Sequence, residues 1–135
     1  MKNDQNDFIH KIHLIVSVII VIPTAIVYGF FPGFQFELFP KTIDEHNFYK
    51  AIMGLYLGFS SLWLLGIIKQ NFLKIALVTN MIFMLGLSFG RIVSILIDGL
   101  PALGYVFGTL GELLIGFYGL WVMKRLNTSI QLKKQ

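Results

Sequence analysis

Three ionisable side chains, Arg91, Asp98 and Glu112, occur in a stretch of sequence whose other residues are almost all apolar. Placing a charged side chain at the centre of a lipid bilayer costs about 2.5–3.5 kcal/mol on insertion scales. Such a residue is therefore expected to have an interaction partner or a functional role. A guanidinium and a carboxylate can form a hydrogen-bonded ion pair, bind the polar head of a ligand, or relay a proton. These residues are therefore the first candidates for a functional site.

The elements that must position these residues are membrane-spanning helices. Of the 135 residues, 56% are hydrophobic and 13% are charged, whereas a typical soluble domain is about 25% charged. Four predominantly apolar segments, each near the ~20 residues that cross a hydrocarbon core, predict helices at residues 12–31, 43–68, 75–97 and 102–123. We therefore predict an all-α protein that forms a single integral membrane four-helix bundle with no soluble domain.

The distribution of basic residues predicts the orientation of this bundle. The first connection between helices offers only Lys41 and Lys50, and the third offers no basic residue. The two terminal segments and the second connection together carry Lys2, Lys11, Lys69, Lys74, Lys124, Arg125, Lys133 and Lys134. Because cytoplasmic segments are enriched in Lys and Arg, both termini are predicted to be cytoplasmic. The net charge of +4 indicates that the basic residues contact the headgroups of anionic membrane lipids. No motif supports nucleic-acid binding.

The segment Asp98-Gly99-Leu100-Pro101 predicts a tight turn between the third and fourth helices. With a rise of 1.5 Å per residue, Arg91 lies roughly 12–14 Å and Glu112 roughly 16–18 Å from this turn. An Arg91–Glu112 ion pair across the hairpin is therefore expected. Candidate hydrogen-bond partners for the pair are Asn80, Ser94 and Tyr105. Alternatively, the pair only fixes the register of the two helices, and Asp98 is only a turn residue.

The start of the second helix carries a further polar group. Thr42 and Glu45 have the spacing of a capping box, which predicts a helix start near Ile43. The first helical turns then present Glu45, His46, Tyr49 and Lys50 as candidate ligand-binding residues at the outer membrane interface. Before them, residues 30–40 contain five Phe and are interrupted by Pro and Gly, so they form either an aromatic interfacial anchor or a lid over a pocket.

Glycine pairs with GxxxG spacing occur in three of the predicted helices, at Gly54 and Gly58, Gly86 and Gly90, and Gly104 and Gly108. Such pairs allow two membrane helices to approach closely. We expect them to pack the bundle internally, with a homodimer or a contact to a partner membrane protein as the alternative.

Motifs for covalent chemistry are absent from the sequence. There is no cysteine, and no HExxH zinc motif is present. Gly86-Leu87-Ser88-Phe89-Gly90 fits the letters of a nucleophile elbow, but it lies within a predicted membrane helix instead of a strand-to-helix turn. We expect no metal, no cofactor and no catalytic residues. If the protein were an enzyme acting on a lipid, Glu112 would be its only plausible acid or base.

The polar residues of the third and fourth helices resemble the signature of the bacterial family domain of unknown function 4345. The resemblance rests on Gly90-Arg91, Ser94, Asp98-Gly99, Pro101 and Glu112, together with the second-helix segment from Phe48 to Gly58. Lys50 stands where the family pattern has Arg, so a bidentate guanidinium contact is not available there. The resemblance implies a small four-helix inner-membrane protein and no established activity.

These residues together favour a small membrane protein that binds or helps to transport an amphipathic molecule. Its pocket would open to the outer leaflet between the Phe-rich connection and the polar faces of the last two helices. A lipid headgroup, a quinone or another amphipathic molecule suits an apolar pocket with a few polar anchors. The alternative is an interaction subunit or assembly factor for a partner membrane protein.

Overall fold

A computed structural model describes residues 2–36 and 38–132 of the chain, and the side chains of residues 9–34, 38–126 and 128. The helices are α1 (Lys2–Phe30), α2 (Pro32–Phe36), α3 (Ile43–Ile68), α4 (Gln70–Asp98) and α5 (Leu103–Leu132). Four of them, α1, α3, α4 and α5, are long and apolar enough to span a membrane. The predicted all-α membrane bundle is confirmed, whereas the five-residue α2 within the Phe-rich connection was not predicted.

The ends of α3 and α4 follow from local backbone chemistry. The predicted capping box is present, because Thr42 Oγ1 accepts a hydrogen bond from the Glu45 amide at 3.2 Å and the Glu45 carboxylate accepts one from the Thr42 amide at 3.3 Å. α4 ends at Asp98, and the residue that caps it, Gly99, has a φ of 100°, which is accessible mainly to glycine. The connection between α3 and α4 is Lys69 alone. α4 therefore begins at Gln70, five residues before the predicted helix at residues 75–97.

The four long helices alternate in direction and pack in chain order. α1 packs mainly against α3, α3 against α4, and α4 against α5, while α1 also contacts α4 and α5. The start of α1, the end of α5 and Lys69 therefore lie at one end of the bundle, which we call the terminal end. The α1–α3 connection and the α4–α5 turn lie at the other, which we call the loop end. Of the basic residues used to predict orientation, Lys133 and Lys134 fall outside the described residues, as does the side chain of Lys2.

An aromatic cluster joins α3 to α4 in the interior. The ring of Phe83 lies 5.1 Å from that of Tyr56, 5.0 Å from that of Phe59 and 5.2 Å from that of Trp63, measured between centroids. Two of these contacts are edge-to-face, a geometry that aromatic rings prefer. The cluster fixes the rotation of α3 relative to α4, and it therefore determines which residues of each helix face the loop-end interior.

Close helix contacts are made at glycines outside the predicted pairs. A methyl group at Gly66 would collide with the side chain of Ala76, and one at Gly116 would collide with Leu85. At Gly54, Gly58, Gly86, Gly90 and Gly104, by contrast, no described atom beyond the local helix backbone lies within 4 Å of the place that a Cβ atom would occupy. The expectation that the GxxxG pairs pack the bundle internally is therefore wrong for these five glycines, because their faces point away from the neighbouring helices of the chain.

Candidate functional site

The ion pair predicted across the α4–α5 hairpin is present. Arg91 Nη2 lies 3.1 Å from Glu112 Oε1, and the two side chains are 21% and 13% exposed. Gly108 makes this approach easy, since a Cβ atom there would lie 3.4 Å from Arg91 Nη1. Both groups are therefore held in the bundle wall, largely shielded from the surroundings.

A cavity of about 480 Å³ lies beside this pair at the loop end of the bundle. It is lined by Tyr28, Leu38, Tyr56, Leu87, Arg91, Ser94, Pro101 and Tyr105. Every long helix and the α1–α3 connection contribute at least one of these residues. The pocket expected between the Phe-rich connection and the last two helices is therefore a feature of the structure, and α1 and α3 complete its wall.

Three tyrosines surround the guanidinium of Arg91. The Arg91 Cζ atom lies 5.4 Å from the ring centroid of Tyr105, within the range of a cation–π contact. Tyr28 and Tyr56 are buried, their rings meet edge-to-face at 5.8 Å, and both lie within electrostatic interaction range of Arg91. The cation is thus held between a carboxylate and aromatic rings, which lowers the cost of removing it from water.

Glu112 uses only one of its carboxylate oxygens in the ion pair. The second, Oε2, is buried and has no hydrogen-bond partner among the side chains and backbone that the structure describes. An ionised carboxylate has about four acceptor sites, and a buried acceptor left unsatisfied costs about 1–3 kcal/mol or more. Glu112 itself does not line the cavity, so it acts on the cavity through its ion pair with Arg91.

Ser94 and Asp98 form a separate contact near the turn. Ser94 Oγ donates a hydrogen bond to Asp98 Oδ2 at 2.9 Å, one helical turn further along α4. Both residues are exposed, and Ser94 also lines the cavity. The Ser94 hydroxyl proton is thus engaged with Asp98 instead of with the Arg91–Glu112 pair that the sequence suggested.

Asn80 shares a helix face with Arg91 but lies at a different depth. Eleven residues separate them, which is roughly 16 Å along the helix. Asn80 is fully buried, does not line the cavity, and neither of its amide atoms has a hydrogen-bond partner among the described residues. The structure does not bring it to the ion pair.

The four candidates at the start of α3 lie at the loop end but outside the cavity lining. The Glu45 carboxylate is engaged in the capping box, and His46 and Lys50 are exposed. Tyr49 is half-buried and lies within electrostatic interaction range of Tyr28 and Tyr105. Of this group, Tyr49 is therefore the residue that the structure connects to the tyrosines of the site.

The site contains residues that the sequence argument missed, above all Tyr28 and Tyr56. Both lie on the buried faces of their helices. In α1 this face contains Leu14, Val21, Ala25 and Tyr28, so the helical spacing of these residues could have identified Tyr28. Leu38, from the Phe-rich connection, also enters the wall, while Phe34 and Phe39 of the same segment are exposed. Among the described residues, no group of three or more His, Asp or Glu side chains could hold a metal ion.

Comparison with known proteins identifies a family for most of the chain. Residues 9–123 match the model of a domain of unknown function, DUF4345. No curated protein and no solved structure matches the chain. The matched region includes every residue that lines the cavity and both members of the ion pair.

Proposed function

The chain belongs to the DUF4345 family of domains of unknown function, and we propose that it binds, or helps to transport, a lipid, a quinone or another amphipathic molecule. The observation that carries the proposal is the cavity of about 480 Å³ whose wall combines apolar side chains with three tyrosines and Arg91. Ligand pockets are typically about 300–1,000 Å³, largely apolar, with a few polar groups that orient the ligand. This cavity has both properties.

The location of the cavity supports an amphipathic ligand. It lies at the loop end of a multi-pass membrane protein, between Leu38 of the α1–α3 connection and Pro101 at the α4–α5 turn. At this level a membrane changes from hydrocarbon to headgroups, so a molecule with a polar head and an apolar tail would find both environments. Arg91, Ser94 and Tyr105 would hold the head.

The proposal includes the orientation of the protein, with the terminal end in the cytoplasm and the loop end facing the outer leaflet of a bacterial inner membrane. It is supported by the excess of Lys and Arg at the terminal end. Because the chain has no cysteine, single-cysteine variants can test it directly. A membrane-impermeant thiol reagent added to intact cells should label Leu100→Cys and spare Lys69→Cys; the reverse pattern would contradict this orientation.

The binding proposal is tested by native mass spectrometry after gentle detergent extraction. A bound lipid or small molecule should be recovered with the wild-type protein and lost from Ser94→Trp, whose indole would fill the cavity. Ile82→Trp is the matched control, because Ile82 lies on the same helix with its side chain exposed. Repeated recovery of the wild-type protein without any bound molecule would contradict the proposal, as would equal occupancy of the two variants.

A second candidate function is that of an interaction subunit or assembly factor. Its support is the exterior position of Gly54 and Gly58 on α3, where a second helix could approach the backbone closely. If this hypothesis is right, Gly54→Leu and Gly58→Leu should abolish complex formation while the monomer remains inserted. Crosslinking in native membranes that captures neither a partner nor a homodimer would remove its basis.

A further inference from the structure

We infer that the pocket selects molecules whose polar head is uncharged and carries carbonyl or hydroxyl oxygens, and that Glu112 is the residue that sets this selectivity. The inference rests on the proposed binding function and adds the class of headgroup. It follows from the charges and the hydrogen-bonding groups around the cavity.

The charge of Arg91 is already compensated before any ligand enters. Glu112 Oε1 lies 3.1 Å from its guanidinium, so the pair contributes no net charge to the wall. Among the described residues bonded to the cavity lining, the other acidic side chain is Asp98, which accepts the hydrogen bond of the cavity residue Ser94. The net charge at the site is therefore zero or negative. An anionic head could contact Arg91 only while being repelled by the buried carboxylate of Glu112.

The remaining polar groups suit neutral oxygens. Tyr28, Tyr56 and Tyr105 place phenol groups in the wall, and each phenol can donate one hydrogen bond and accept others. Arg91 has five N–H donors, and its contact with Glu112 is made through Nη2. A carbonyl or hydroxyl oxygen can accept from the N–H donors of Arg91, which lines the cavity, and a hydroxyl can in addition donate to a phenol oxygen. No charge needs to be separated for these contacts to form.

The test is a competition between headgroups of opposite type. Purified protein in a mild detergent is mixed with equal amounts of dioleoylglycerol, which is uncharged, and dioleoylphosphatidylglycerol, which is anionic and has the same acyl chains. A parallel mixture replaces dioleoylglycerol with decylubiquinone, to separate glyceride from quinone heads. Native mass spectrometry should show that the wild-type protein prefers an uncharged molecule by about tenfold or more, equivalent to about 1.4 kcal/mol.

Glu112→Gln provides the decisive variant, because it keeps the size of the side chain and removes its charge. Arg91 is then uncompensated, and the preference should invert toward phosphatidylglycerol. Glu45→Gln is the matched control. It removes a carboxylate at the same end of the bundle, outside the cavity, and glutamine also fits a capping box. Its headgroup preference should equal that of the wild-type protein.

The outcomes separate this inference from the proposed function. A wild-type preference for phosphatidylglycerol would overturn the inference but leave the binding function in place, and so would a Glu112→Gln variant with unchanged ranking. If neither the wild-type protein nor Glu112→Gln bound any of the three probes, the binding function would fail and the inference with it. Should Glu112→Gln not be recoverable in folded form, the double variant Glu112→Met with Arg91→Met removes both charges, leaves no cation for an anionic head, and should keep the preference for an uncharged head; a preference for phosphatidylglycerol would overturn the inference.

Discussion

Breaking the Arg91–Glu112 pair should destabilise the bundle, and removing both partners should restore it. Removal of one partner of a buried pair leaves an uncompensated charge and costs about 3–5 kcal/mol. The contact is short, 3.1 Å, but the side chains are 21% and 13% exposed, so partial hydration will lower the loss. We expect Arg91→Met and Glu112→Leu each to lose about 3 kcal/mol in free energy of unfolding. The double variant, with apolar side chains in both positions, should lie within about 1 kcal/mol of the wild-type protein.

The measurement is a double-mutant cycle in bicelles, with unfolding by SDS followed through the fluorescence of Trp63 and Trp121. Lys74→Met is a suitable control, because it removes an exposed cation from the same helix as Arg91 and should change stability by no more than about 0.5 kcal/mol. If neither single variant lost stability, the two residues would not be paired in the bilayer. If the double variant lost the sum of the two single losses, the residues would act independently and the reasoning would be refuted. A double variant that regains stability but has lost its bound molecule would assign the pair to binding.

Four further substitutions test the packing of the helices. Asn80→Leu should be neutral or should stabilise the protein by about 1–3 kcal/mol, because it removes a buried amide without a described partner; a clear loss of stability would show that the amide is satisfied in the membrane. Gly66→Ala should cost about 1–3 kcal/mol, since the new methyl group collides with Ala76. Gly58→Ala, on an open face, should cost nothing or stabilise the helix slightly, and equal effects of the two alanines would contradict the assigned packing. Phe83→Ala should cost about 3–5 kcal/mol by removing a ring that contacts Tyr56 and Trp63, as measured by the same unfolding assay.

The ion pair was predictable from the sequence because it depends only on local geometry. Arg91 and Glu112 lie on two helices joined by a short turn, so the rise per residue fixes their depths and leaves little freedom in their separation. The helix bounds of α3 were predictable for a similar reason, since its capping box is a contact between neighbours in the chain. Features set by one helix or one hairpin can thus be derived from spacing alone.

The rest of the site depends on how helices distant in sequence are rotated and packed. Tyr28 and Tyr56 enter the wall because α1 and α3 turn these faces toward the cavity, and no spacing rule gives that rotation. Asn80 shows a second limit, since it lies on the face of Arg91 but roughly 16 Å deeper along the helix. The exterior glycines show a third: GxxxG spacing identifies a face that permits close approach but does not identify the helix that approaches it.

The single-residue connection at Lys69 restricts the way α3 and α4 can move against each other. With Gly66 packed against Ala76 beside this connection, the two helices are held closely at the terminal end and have no linker to extend. Any change in their crossing angle must pivot there, so displacement increases with distance from Lys69. Arg91 lies 22 residues beyond, or roughly 33 Å along α4, where a tilt of about 5° moves the helix by about 3 Å. A change in the crossing angle of α3 and α4 would therefore produce its largest displacement at the loop end, where the cavity lies.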